Sequence, residues 1–242
     1  MRLDKLLAHT GFGTRKQVKK IIKDGYITVN GQEETSPKSQ VNPDSDEVCV
    51  GGQPIVYQKY TYLMMNKPAG VISATEDNLH ETVIDLLEPY DLVQDLHPVG
   101  RLDIDTEGLL LLTNDGKLTH RLTSPNHEVK KTYYAVIDGL VSENDQKMFA
   151  QGIDLEDFTA KPAQLNILSV DEDEQTSQIK VTISEGKFHQ VKRMFLAVGK
   201  EVTYLRRIQM GPLKLDENLP VGSYRELTEK EYTDLIPYMS KD

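Results

Sequence analysis

Residues 107–113 read Glu107-Gly108-Leu109-Leu110-Leu111-Leu112-Thr113, and Asn114-Asp115-Gly116 closes the run with a turn. Four consecutive leucines leave no polar alternate, so the run predicts a strand buried on both faces. Immediately upstream stands Gly100-Arg101-Leu102-Asp103-Ile104-Asp105-Thr106. Charges set against such a strand lie at the edge of a core, where a carboxylate must pair, protonate or react. Spacing alone leaves a structural Arg101–aspartate pair and a functional carboxylate equally open. Nor does it separate Asp103 from Asp105, which share a side if the segment is extended.

Outward from this run the pattern alternates between strands and helices. Upstream, Tyr62-Leu63-Met64-Met65 predicts a strand that breaks at Asn66-Lys67-Pro68-Ala69-Gly70, and Val83, Ile84, Leu86 and Leu87 predict a short helix. Downstream, residues 117–122 and 143–150 read as helices, and residues 130–137, 164–170, 178–183 and 201–210 as strands. The acidic run Asp171-Glu172-Asp173-Glu174 fits a solvated hairpin tip. A helix after Glu185-Gly186-Lys187 would bury Phe188, Val191, Phe195 and Val198, and Thr228 with Glu231 forms a capping box for a terminal helix. The spacing is not that of regular βαβ units. It predicts an α+β fold, with a mixed, mainly antiparallel sheet flanked by helices.

The first 57 residues form a separate pattern. Leu3, Leu6 and Leu7 line one face of a short helix, Gly11-Phe12-Gly13 turns the chain, and Thr14 with Gln17 caps a second helix. That helix buries Val18, Ile21 and Ile22 and exposes Arg15, Lys16, Lys19, Lys20 and Lys23. Tyr26-Ile27-Thr28-Val29 runs into the hairpin signal Asn30-Gly31, and Val48-Cys49-Val50 into Gly51-Gly52. The expected organisation is a small α/β unit at 1–57, a linker at 58–61 and a large domain at 62–240. A basic helix face on a small sheet suits an RNA-binding module, with a merely solvated charged face as the alternative.

Net charge is −10, but it is unevenly distributed. Residues 1–30 hold seven basic side chains against two acids, and residues 187–207 hold six against one. Residues 138–178 hold ten acids against two lysines. Two concentrated basic segments let an acidic protein bind a polyanion, and the acidic segment is expected to face away from it. The single cysteine, Cys49, and the charged start Met1-Arg2-Leu3-Asp4-Lys5 lead to the expectation of a cytoplasmic protein without a membrane span. The six histidines show no paired metal-ligand spacing, and neither a phosphate-cradling glycine loop nor a serine elbow is present. Neither a metal nor a cofactor is expected. Carboxylate, amine and phenol groups remain, which suits covalent or acid–base chemistry.

The stretch around Asp103 resembles the catalytic signature of the pseudouridine synthases, and the whole chain resembles the subfamily that modifies small-subunit ribosomal RNA. Further matching motifs follow in order: residues 66–70, Lys131-Thr132-Tyr133, residues 185–194, and the last long strand with Arg206-Arg207. Residues 1–57 resemble the alpha-L RNA-binding module of a ribosomal protein and several RNA-modifying enzymes. The resemblance implies isomerisation of uridine to pseudouridine, with Asp103 as the catalytic carboxylate, Lys192 as the cation that keeps it charged, and Tyr133 stacking on the flipped base. It implies RNA contacts from Arg2, Lys5, Arg15, Lys16, Lys19, Lys20, Arg101, Lys187, Arg193, Arg206 and Arg207. His189 reads equally well as a satisfied core histidine. The expected partner is ribosomal RNA or an assembling small subunit, met by a monomer. The alternatives are action on large-subunit RNA, or a non-catalytic assembly factor with the same fold.

Overall fold

The computed structural model describes residues 1–239, so the expected domain end at 240 lies outside the described residues. The N-terminal unit comprises α1 (Leu3–His9), α2 (Arg15–Lys23) and four short strands, β1 (Ile27–Val29), β2 (Gln32–Glu33), β3 (Val48–Val50) and β4 (Gln53–Pro54). The Thr14–Gln17 capping box forms in full, and Gly25 follows the helix at φ +79°. Asn30 and Gly31 at the first hairpin, and Gly51 and Gly52 at the second, all have positive φ, the backbone a two-residue hairpin loop demands. Leu3, Leu6, Leu7, Val18, Ile22, Ile27 and Val48 make one apolar cluster, against which Tyr57 packs. Asp4 is fully buried beneath it, bound by Arg2 at 2.7 Å and Arg15 at 3.0 Å. Burial pushes this carboxyl up, but the two guanidiniums outweigh burial and hold it below the usual range.

The larger unit runs through β5 (Tyr62–Lys67), β6 (His97–Pro98), β7 (Glu107–Thr113), α3 (Gly116–Thr123), β8 (Lys131–Asp138), α4 (Glu143–Gln151), β9 (Ile153–Asp154) and β10 (Thr159–Ala160). It continues with β11 (Gln164–Asp171), β12 (Thr176–Ile183), α5 (Gln190–Ala197), β13 (Glu201–Met210), β14 (Leu213–Lys214), β15 (Tyr224–Glu226) and α6 (Glu229–Leu235). Among the described residues nine strands join one sheet, ordered β11-β12-β8-β13-β7-β5-β15, with β14 on β13 and β6 on β7. Only β13 and β7 pair in parallel, at Arg206↔Glu107 and Arg207↔Gly108, so the sheet is mixed and mainly antiparallel as expected. No helix among the described residues is long and apolar enough to cross a membrane.

The leucine strand β7 lies inside this sheet. Leu110 and Leu112 enter a cluster with Leu63, Met65, Ala135, Phe149 and Phe195, while Leu109 and Leu111 enter another with Met64, Leu118, Leu122 and Met210. Helices α4 and α5 cover the first face, and α3 and α6 the second. All four leucines are at most 1% exposed; such burial stabilises by roughly 1.5–3 kcal/mol per side chain. Gly108, at φ +102°, lets β13 reach β7: a Cβ there would stand 2.3 Å from the Arg207 carbonyl oxygen. Gly108→Ala is therefore expected to lower stability by about 3 kcal/mol or more, measured by denaturant unfolding; a loss below about 1 kcal/mol would contradict this strand contact.

Two local expectations fail. Residues 83–87 are consecutive turns, not a helix, because Asp85 turns back to accept from the Thr82 amide and hydroxyl at 2.8 Å and Pro89 follows at once. Phe188 is 75% exposed and precedes α5, which begins only at Gln190 after His189 takes a left-handed φ of +50°. Within the acidic segment, Asp157 pairs with Arg193 and Asp145 with Lys200 at 3.0 Å.

Candidate active site

The loop joining β6 to β7 holds the carboxylates, and its backbone is clamped from below. Ser73 Oγ donates to the Leu102 carbonyl at 3.1 Å and accepts from the Leu102 amide at 3.0 Å. The Gly70 amide donates to the Ile104 carbonyl at 2.7 Å, and the Thr106 amide to the Asp103 carbonyl at 3.0 Å. Residues 103–106 thus form a turn, not the extended segment that would set both aspartates on one side by alternation. At the centre of the clamp is Lys67, the last residue of β5 and fully buried. Its ammonium donates to the carbonyls of Pro68 at 2.9 Å, Asp103 at 3.1 Å and Thr106 at 2.9 Å. Burial pushes the Lys67 ammonium down to about 8, with Asp105, Asp103 and Glu107 opposing the shift.

With its backbone fixed, the loop turns its carboxylates towards α5. Lys192 Nζ lies 2.6 and 2.8 Å from the two Asp105 oxygens and 3.5 Å from Asp103 Oδ2. The expected Asp103–Lys192 pair is therefore a three-membered group in which Asp105 is the closer partner. The Lys192 hydrogen bond holds the Asp105 carboxyl below the usual range. His189 Nε2 lies 3.6 Å from Asp103 Oδ1, and its ring stacks on Phe188 at 3.7 Å. His189 is not a core histidine: its side chain is 41% exposed.

Below Asp103 is a cavity of about 110 Å³. A water occupies about 30 Å³ of liquid, so the space has room for one flat ring. The sheet forms its floor. Tyr133 of β8 lies opposite Arg207 of β13, Lys131 lies two residues from Tyr133 on the same face, and Ile183 of β12 lies opposite Lys131. Asp103, Arg101, Lys187 and His189 complete the mouth. Asp103, Tyr133 and Lys192 come from three distant stretches; the fold brings Asp103 and Tyr133 to one cavity and sets Lys192 beside Asp103, outside the cavity lining.

The expected RNA contacts divide. Lys5, Arg15, Lys16, Lys19, Lys20, Arg101 and Lys187 are exposed, but Arg2 and Arg15 also fix Asp4, and Arg193 is engaged by Asp157. Lys187 lies 3.7 Å over the Phe158 ring. Arg207 is 1% exposed, with Nε donating to the Leu109 carbonyl at 2.8 Å, so it is not a surface phosphate contact. Strand alternation puts Arg206 on the other sheet face, opposite Tyr134. Lys67 and Lys131 carried no role in the sequence reading, although both stand in matching motifs. A lysine ending an apolar strand, as Lys67 does after Met64-Met65, was the available signal of a buried cation.

A loop carboxylate beside a cation, above a cavity with an aromatic wall, can act on a small planar ring by covalent or acid–base chemistry. The RNA pseudouridylate synthase family model matches residues 61–197, and the S4 domain model matches residues 1–48. The chain is 49% identical to an uncharacterized RNA pseudouridine synthase of Bacillus subtilis, over 96% of each chain. It is 39% identical to ribosomal small subunit pseudouridine synthase A of Escherichia coli, over 98% of this chain and 100% of that relative. A crystal structure of a pseudouridylate synthase superposes with a TM-score of 0.67 at 39% identity, covering 98% of this chain and 100% of that one. The chain belongs to the RNA pseudouridylate synthase family and is an isomerase with an S4 domain at its N-terminus.

Proposed function

We propose that this chain converts one uridine of small-subunit ribosomal RNA to pseudouridine, with Asp103 as the catalytic carboxylate. The observation that carries the RNA target is the likeness, over nearly the full length of both chains, to relatives named ribosomal small subunit pseudouridine synthase A. The uridine leaves its stack, at a cost of a few kcal/mol, and its ring enters the cavity against Tyr133. Asp103 acts at the sugar, either attacking the anomeric carbon and leaving again as C5 bonds it, or removing a proton from the neighbouring carbon and returning it as the new bond forms. The N1–C1′ electron pair leaves with the uracil, which turns and rejoins the sugar through C5. The C5 proton is lost and N1 is reprotonated, so the reaction is redox-neutral. Lys192, held by Asp105, keeps positive charge beside Asp103.

Residues 1–57 act as the RNA-selecting module, residues 58–61 as linker and the remainder as the catalytic domain, working as a monomer in the cytoplasm on naked RNA or an assembling subunit. Lys16, Lys19 and Lys20 are exposed on α2, so the triple change to glutamate is expected to weaken RNA binding about tenfold or more. The salt dependence should become shallower by roughly 2–3 in log–log slope. Unchanged affinity and slope would remove the module from the interface. The target is tested by incubating the full chain with small- and large-subunit RNA, free and in immature particles, and mapping pseudouridine in each. A new pseudouridine confined to small-subunit RNA is expected. One in large-subunit RNA instead would reassign the target, and none in any substrate would favour a non-catalytic assembly role.

A further inference from the structure

The cavity floor holds two cations without a counter-ion. Arg207 is 1% exposed and Lys131 is 8% exposed, and both line the cavity that also holds Tyr133 and Asp103. Among the described residues neither has a carboxylate within ion-pair distance. Arg207 Nε is used by the Leu109 carbonyl, but its Nη2 is buried with no partner. Lys131 Nζ donates only to the carbonyls of Val129 at 3.1 Å and Glu185 at 3.4 Å. Burial, and then the neighbouring Arg207 charge, push the Lys131 ammonium down to about 8. Two buried like charges side by side are costly unless an anion arrives, and an orphaned guanidinium nitrogen marks a missing acceptor.

We propose that Arg207 and Lys131 form an anion-stabilising subsite for the uracil ring after its bond to the sugar breaks. This rests on the reading that the cavity receives the flipped uridine. When the N1–C1′ bond breaks, its electron pair moves onto the ring and spreads over N1 and the two carbonyl oxygens, leaving a monoanion. The neutral base that enters carries no such charge, so cations fixed in the floor favour the broken-bond state over the ground state. Because the strands and Leu109 already hold Arg207, little reorganisation is needed as the charge develops. The same charge restrains the ring, as an ion pair without directional bonds to the sugar, while it turns to present C5. The ring's electron pair forms the new bond from C5 to C1′, which discharges the ring and releases the Asp103 carboxylate, and loss of the C5 proton together with protonation of N1 leaves the neutral base.

A phosphate of the RNA is the other anion that two cations could meet. A ring-sized cavity, and a floor shared with the aromatic Tyr133, favour the base. The test uses the full chain in single-turnover reactions with target RNA containing uridine or 5-fluorouridine at the modified position. Loss of the starting nucleoside is followed, since fluorine replaces the C5 hydrogen. The fluorinated ring carries negative charge more readily and depends less on the floor. Arg207→Met is expected to lose about 10²-fold or more in rate with uridine, to bind RNA within about twofold of wild type, and to recover at least about tenfold of its deficit with 5-fluorouridine. Arg207→Lys should recover part of the rate, and Lys131→Met should show a smaller deficit with the same fluorine dependence.

Equal deficits on both substrates would overturn the proposal in favour of a structural role. A loss of RNA affinity with the single-turnover rate intact would overturn it in favour of a phosphate contact, and unchanged rates would overturn it outright. If Arg207→Met does not fold, as judged by thermal melting, Arg207→Lys and Lys131→Met decide by the same fluorine comparison. If wild-type protein leaves uridine untouched in every RNA, it is the function that fails. The subsite fails only against an active wild type.

Discussion

Asp103→Asn is expected to abolish pseudouridine formation, with a rate loss on the order of 10⁴-fold or more, while Asp105→Asn loses about tenfold. The two residues are two positions apart and touch the same lysine, yet they are not equivalent. Asp103 lines the cavity with a side chain 27% exposed, whereas Asp105 is 65% exposed and accepts two hydrogen bonds from Lys192 at 2.6 and 2.8 Å. Asparagine keeps the shape of aspartate but can neither attack the sugar nor take its proton. The loop is held through backbone groups by Ser73, Gly70 and Lys67, so neither change should release it. Losing Asp105 removes the closer partner of Lys192 and leaves that ammonium with Asp103 alone, a change of position within an intact site. Single-turnover rates and thermal melting of both variants check this; equal losses for the two aspartates would contradict the assignment.

Lys67→Met is expected to cost both stability and activity although Lys67 is placed below the loop and not in the cavity. The carbonyls of Pro68 and Thr106 would lose their donor, while the Asp103 carbonyl would keep the Thr106 amide, at about 1–3 kcal/mol for each buried group left unpaired. Removing a buried ammonium returns about 3 kcal/mol, the equivalent of its shift from 10.5 to about 8. A net loss of up to about 3 kcal/mol at neutral pH follows, with activity down about 10²-fold or more as Asp103 moves. The pH dependence carries a definite sign. Between pH 8 and 10.5 folded Lys67 has released its proton while the unfolded residue still holds it, so stability rises with pH. Wild type should therefore gain up to about 3 kcal/mol on Lys67→Met over that interval, read from denaturant unfolding at several pH values. A constant difference across the interval would show that Lys67 is not a buried ammonium.

Patterns confined to one element were legible in the sequence. The four leucines announced a doubly buried strand, the capping boxes Thr14–Gln17 and Thr228–Glu231 formed as read, and β13 spans Glu201–Met210, the range expected. Turn pairs such as Asn30-Gly31 fixed hairpins because only a few residues tolerate positive φ. Residues 83–87 misled because their apolar spacing suits a helix, while a side chain to backbone ring at Thr82 and Asp85 offers a competing local structure. Phe188 keeps helical spacing with Val191 and Phe195, but the left-handed backbone at His189 delays the helix to Gln190 and leaves Phe188 outside it and exposed. What no local pattern contains is the pairing of distant groups. The Lys67 clamp closes on carbonyls across the loop, Lys192 chooses between two aspartates, and Arg207 lines the cavity while Arg206 takes the other face of the sheet. Family resemblance supplied Asp103, Tyr133 and Lys192, and the fold sets Lys192 against Asp103 and brings Tyr133 to the cavity that Asp103 lines.

The most direct measurement compares small-subunit ribosomal RNA from cells lacking this chain with RNA from the same cells supplied with wild-type protein or Asp103→Asn, mapping pseudouridine at single-nucleotide resolution. A single pseudouridine present only with the wild-type chain is expected. Its persistence without the chain, or its restoration by Asp103→Asn, would contradict the assignment.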